Sequence, residues 1–153
     1  MEWRDDPIRA AQRGQNPMVM ARMPSGFAVI GESQQLPGYS LLLCDDPDVN
    51  HLTDLPRERR VQFLADFALL GEAVTEACRD NGLRRINYEI LGNQAACLHA
   101  HVHARYEWEP PDLVLRPVWF YEDRLDPAHA YSDERHGALR AAITDALAAR
   151  LAT

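Results

Sequence analysis

The chain of 153 residues contains no lysine: all 16 cationic side chains are arginine. That excludes Schiff-base catalysis, which needs a lysine amine, and the phosphate loop GxxxxGK[ST], whose lysine reaches the phosphates. Cysteine is scarce as well. Cys44, Cys78 and Cys97 are odd in number and form no CxxC pair, so neither a disulfide framework nor a cysteine-rich zinc module is expected, and a reducing, cytoplasmic setting fits. No run approaches the roughly 18 apolar residues of a membrane span, and Met1-Glu2-Trp3-Arg4-Asp5-Asp6 lacks the basic-then-apolar order of a secretion signal. Positive charge is not in excess either: the formal net charge is −7, which argues against a DNA or RNA partner, since phosphate backbones are held by clustered cations. What is present, 46% hydrophobic and 25% charged residues, describes one domain over residues 1–153, long enough to bury a core without disulfides or a structural metal.

Turn signals divide the chain into short pieces. Asp5-Asp6-Pro7 opens a short helix that Gly14 ends. Met18 to Met23 and Phe27 to Ile30 read as two strands about the turn Pro24-Ser25-Gly26, and Pro37-Gly38 precedes a third apolar run, Tyr39 to Leu43. No crossover helix lies between these pieces, so antiparallel pairing is expected. After Asp54-Leu55-Pro56 a long helix carries Val61, Phe63, Leu64, Phe67, Leu69, Leu70, Val74 and Ala77 as a wide apolar stripe, and Asn81-Gly82 closes it. Two more strands follow, Ile86 to Leu91 and Leu98 to Tyr106. Residues 113–115 and 118–121 are short apolar pieces suited to edge strands or packed loops, and an alanine-rich helix spans 132–152 with Ser132 as its cap.

Three of the six histidines fall in Cys97-Leu98-His99-Ala100-His101-Val102-His103-Ala104-Arg105. In a strand the alternation puts Cys97, His99, His101, His103 and Arg105 on one face and the small apolar residues on the other, which packs under a helix. Imidazoles buried without polar partners are costly, so the histidine face should border a ligand or a solvent-filled cleft. Spacing alone leaves three readings open. A divalent metal takes neutral imidazoles from HxH on a strand; one imidazole can attack phosphorus while its neighbours donate to the phosphoryl oxygens; or the row is structural.

Asn87-Tyr88-Glu89-Ile90-Leu91-Gly92-Asn93, Leu98-His99-Ala100-His101 and Ala104-Arg105-Tyr106 resemble the signature segment of the histidine triad nucleotide hydrolases and transferases. Upstream, Phe27 to Ile30, Pro37 to Leu43 and His51-Leu52-Thr53-Asp54-Leu55 follow in the family's order, so the resemblance covers residues 16–121. It implies an α+β fold: an antiparallel sheet of about five strands with a long central helix and a C-terminal helix. It also implies a homodimer, no required metal or other cofactor, and histidine attack on the α-phosphorus of a nucleotide such as a dinucleoside polyphosphate or a nucleoside phosphoramidate. Mg²⁺ can accompany such a substrate on its own phosphates.

The motif HφHφHφφ fits in two registers. Placed on His99, His101 and His103, it makes His101 the nucleophile. Placed by its flanks, with the last histidine four residues before Arg105 as in relatives, it makes His99 the nucleophile and His101 the third histidine. Cys97 then replaces the first histidine, and His103 is an additional side chain. The flanks favour the second register. On the resemblance, Asn87, Asn93, Gln94 and His51 join Cys97 and His103 as substrate-binding candidates. Glu32 is a weaker candidate for a ribose hydroxyl, since the family residue nearest the ribose aligns with Gly31. Arg105 reads as an outward arginine rather than a phosphate ligand, and Trp108, Trp119 and Tyr121 read as core or dimer-interface aromatics. Val74, Trp119, Phe120 and Tyr121 supply the apolar surface from which the homodimer is expected.

Overall fold

The computed structural model describes residues 2–153. Its five strands are β1 (Val19–Met23), β2 (Gly26–Ile30), β3 (Ser40–Cys44), β4 (Leu83–Glu89) and β5 (His99–Tyr106), and every pairing is antiparallel in the order β1-β2-β3-β5-β4. The last strand is therefore inserted between β3 and β4, which puts the histidine row near the middle of the sheet. Three helices accompany the sheet: α1 (Pro7–Gln12), α2 (Arg57–Cys78) and α3 (Asp133–Leu151).

The helix ends follow local chemistry. Asp6 caps α1 by accepting from the Arg9 N–H at 3.0 Å, with Pro7 at the first position. Ser132 caps α3 by accepting from the Arg135 N–H at 3.3 Å. A 3₁₀ turn over 79–81 carries α2 into Gly82, whose φ of +79° is the left-handed conformation expected where a helix stops. Before β3, Gly38 has φ +95°, and a Cβ there would lie 2.7 Å from Cys78 Sγ, so this turn is closed to larger residues.

The sheet separates two environments. Ala28, Ile30, Leu42, Cys44, Ala100, Val102, Ala104 and Tyr106 pack into the main core with Phe63, Phe67, Leu70 and Val74 of α2 and Ile143 and Leu147 of α3. Phe27, Val29 and Leu43 on the other face meet Ile8 and Ala11 of α1. The apolar side of the histidine strand does lie under the helices, as its alternation predicts. Asp66, buried within α2, accepts from the backbone N–H and hydroxyl of Ser25 and so ties the helix to the β1–β2 turn.

Several expectations need correction. β4 begins at Leu83, ahead of the expected Ile86, because an edge strand with one wet face tolerates Arg84 and Arg85. The apolar stripe of α2 is narrower than its sequence implies, since Val61 and Leu64 are exposed. Val74 and Tyr121 are buried in the core, and Trp119 packs against the histidine row; of the apolar residues taken to mark a dimer surface, only Phe120 is exposed. Residues 113–121 form turns and a 3₁₀ piece rather than strands.

Candidate active site

The histidine strand presents its three imidazoles in three different settings. At its open end His99 is part-buried, and its Nδ1 lies 2.8 Å from the Cys97 carbonyl oxygen. A carbonyl only accepts, so Nδ1 carries the proton and Nε2 keeps its lone pair. One pair further along, His101 is buried, with Nδ1 2.7 Å from the Tyr39 hydroxyl. Burial, helped by the neighbouring His99 and His103, pushes the His101 imidazole down to about 4, so it is neutral at pH 7. His103 is only 2% exposed, and its ring stacks on Tyr39 with centroids 4.0 Å apart. Burial lowers its pKa too, against the opposing pull of Glu89, whose Oε1 lies 3.4 Å from His103 Nδ1.

The polar cleft expected along the whole row exists only at the His99 end. Trp119 closes the rest: its ring stands edge-on to His101 at 5.1 Å and His103 at 5.4 Å. Its indole N–H donates to Glu89 Oε2 at 2.7 Å, and the Arg124 guanidinium lies over its ring, 4.5 Å from the centroid. His103 is thus placed as packing under this cover rather than as a surface open to substrate.

One depression includes the open end, and a second lies over the neighbouring strands β2 and β3. The first, of about 280 Å³, is lined by Asn50, His51, Gly92, Cys97 and His99 among others, so it gathers three of the candidates chosen from sequence. The other, of about 290 Å³, lies on the same sheet face over Val29, Leu41 and Leu43, with Trp3, Arg4, Glu32, Tyr39 and Arg124 around it. Leu43 pairs directly with His99 and Leu41 with His101, so the apolar floor adjoins the histidine strand. Glu32 lines this cleft, but its carboxylate is engaged by Arg4 Nε at 2.6 Å.

The other candidates are placed elsewhere. Asn93 and Gln94 are exposed on the loop before β5, and it is Gly92, with φ +81°, that lines the depression. Asn87 Oδ1 accepts from Arg105 Nη1 at 2.9 Å and lines a separate groove beside β4. Arg105 is not outward: it is 2% exposed, pairs with Glu109 at 2.8 Å, and donates to the carbonyls of Leu113 and Arg116. The reason is the 107–117 segment, which folds back and offers it acceptors. Cys97 Sγ lies 3.8 Å from His99 Nδ1, and burial raises its thiol pKa. Among the described residues no three His, Cys, Asp or Glu side chains are grouped to hold a metal ion.

Sequence reasoning missed Tyr39, Glu89 and Arg124. Glu89 had a signal, since antiparallel pairing of two strands joined through Gly92 sets it opposite His101. Tyr39 had none beyond its place before an apolar run.

No protein-family model and no curated relative matches the chain in sequence. Solved structures match it in fold. A histidine triad protein of Bradyrhizobium japonicum superposes with a TM-score of 0.73 at 20% identity, over 90% of this chain and 95% of that one. A hypothetical histidine triad nucleotide-binding protein of Sulfolobus tokodaii gives 0.65 at 16% identity, over 93% and 91%. A zinc-bound histidine triad family protein of Mycobacterium smegmatis gives 0.59 at 22% identity, over 92% and 94%. The fold is the histidine triad fold, as the residues flanking the histidine strand imply.

Proposed function

We propose that the protein is a nucleotidyl hydrolase or transferase acting on a compound that carries a nucleoside 5′-phosphate, either a dinucleoside polyphosphate or a nucleoside phosphoramidate. The observation that carries this reading is the 2.8 Å contact between His99 Nδ1 and the Cys97 carbonyl, which leaves the Nε2 lone pair free on a residue that lines a depression with His51 and Gly92. The nucleoside lies over Val29, Leu41 and Leu43, and its phosphate reaches His99. Nε2 attacks the α-phosphorus; an N–P bond forms while the bond to the departing group breaks, and that group takes a proton from solvent. Water then displaces the imidazole, which restores the lone pair of Nε2, and the proton that the water loses returns to solvent. Two displacements replace one difficult step.

The chemistry calls for no resident cofactor, and Mg²⁺ enters only with a polyphosphate substrate. The protein acts as a homodimer joined along β4. Arg140 of α3 caps the carbonyls of Pro17 and Val19 at the β1 edge, at 2.8 and 2.9 Å, whereas β4 is the other edge of the sheet and Tyr88 and Leu91 expose apolar surface there.

A nucleotide-binding protein with little turnover is the second reading, favoured by Cys97, a weak hydrogen-bonding group where the resembling motif carries its first histidine. Incubation with adenine and guanine dinucleoside polyphosphates and with adenosine phosphoramidate, with and without chelator, separates the readings. Release of nucleoside monophosphate in the presence of chelator is expected. Binding without release supports the second reading, loss of activity on chelation supports a metal-dependent hydrolase using the histidine strand, and failure to bind any nucleotide overturns the proposal.

A further inference from the structure

Tyr39 lies against two of the three histidines. Its ring stacks on His103 at 4.0 Å and 7°, and its hydroxyl is 2.7 Å from His101 Nδ1. The ring also has a built seat. A Cβ at position 31 would come within 2.3 Å of the Tyr39 ring, so glycine there leaves the space the ring fills, and the Gly31 N–H donates to the Tyr39 carbonyl at 2.8 Å. Gly31, Tyr39 and His103 therefore form one packing unit whose polar tip is a single hydroxyl.

That hydroxyl settles which nitrogen of His101 holds the proton. Tyr39 is buried, its phenol stays protonated because burial raises its pKa, and its O–H makes no hydrogen bond to any other described group. If His101 Nδ1 were the donor, the buried phenolic proton would lose its acceptor. With Tyr39 donating, both groups are satisfied and the imidazole proton sits on Nε2.

We propose that Tyr39 is a positioning residue that fixes His101 as the Nε2–H tautomer and so keeps it a hydrogen-bond donor beside His99. The rings of His99 and His101 are 4.9 Å apart, edge to face, so the two imidazoles are neighbours. The tautomer stands independently of catalysis; its effect on rate rests on the nucleotidyl chemistry proposed above. Tyr39→Phe keeps the ring in its stack and removes only the hydroxyl.

Long-range ¹H–¹⁵N correlation at pH 7 should find the His101 proton on Nε2 in the wild-type protein and a mixture of tautomers in Tyr39→Phe. On the best substrate, kcat should fall about 10- to 100-fold in that variant, less than the full loss of a donor, while KM stays within about twofold. A merely structural role would leave the tautomer unchanged. A wild-type His101 protonated on Nδ1, or a variant with unaltered tautomer and kcat, overturns the proposal. Absence of turnover on every substrate counts against the proposed chemistry instead, and the wild-type tautomer still decides the role of Tyr39.

Discussion

His99 Nδ1 is held 2.8 Å from the backbone oxygen of Cys97, two residues earlier on the same strand. Because the partner is main chain, this support does not depend on the side chain at position 97. His99→Asn should therefore abolish turnover and prevent any phosphoramidate adduct. His101→Asn removes a donor but not the nucleophile, and should slow the reaction about 10²- to 10³-fold. Mass spectrometry of an acid-labile, base-stable adduct assigns the nucleophile; an adduct on His101 would reverse the register.

Arg105 and Glu109 carry most of the polar order behind the site. Burial acts to raise the Glu109 carboxyl, but Arg105, the Tyr106 N–H and the Tyr121 hydroxyl outweigh it and hold the pKa below its usual value. Arg105→Met strands a buried carboxylate and should cost about 3 to 5 kcal/mol in urea unfolding. A loss below 1 kcal/mol would mean that water replaces the guanidinium.

How much of this was legible depended on the range of the interactions. The faces of β5 follow from alternation alone, and the course of α2 from its stripe and the Asn81-Gly82 stop, because both are local. Arg105 was misread because its acceptors lie at Glu109 and in 113–116, in a segment whose fold back onto β5 no local pattern reports. Tyr39 was missed because only the pairing of β3 with β5 brings it to His101. The exposure of Val61 and Leu64 depends on how far the sheet extends under α2, which no helical period reports.

The dimer proposed along β4 predicts a sedimenting mass of about twice 17.3 kDa at micromolar concentration. Placing proline at Ile86 removes a backbone donor in the middle of β4 and should weaken self-association. Since β4 also pairs with β5 at Ile86↔Ala104, circular dichroism must confirm that the variant remains folded. A wild-type monomer at this concentration would remove the dimer from the proposal.

Stability should fall on mild acidification, before the carboxylates titrate. His101 is held at about 4 by burial, against 6.5 in an unfolded chain, so between these values the unfolded state binds a proton that the folded state refuses. Its contribution is fully present above pH 6.5 and is lost as pH falls through 4. For this residue alone, urea unfolding at pH 5 should give a stability about 2 kcal/mol below that at pH 7.5. His103, whose pKa is lowered by the same burial, acts in the same direction. Glu89 and Glu109, whose pKa values are depressed, begin to lose their contributions only as the unfolded carboxylates titrate, near 4.5, and lose the rest as pH falls through their lower native values. His101→Asn should flatten the slope between pH 7.5 and 5 without removing it, since His103 remains. An equally steep slope in that variant would show that His101 is hydrated and titrates normally, and that the Tyr39 hydroxyl does not seal it from solvent.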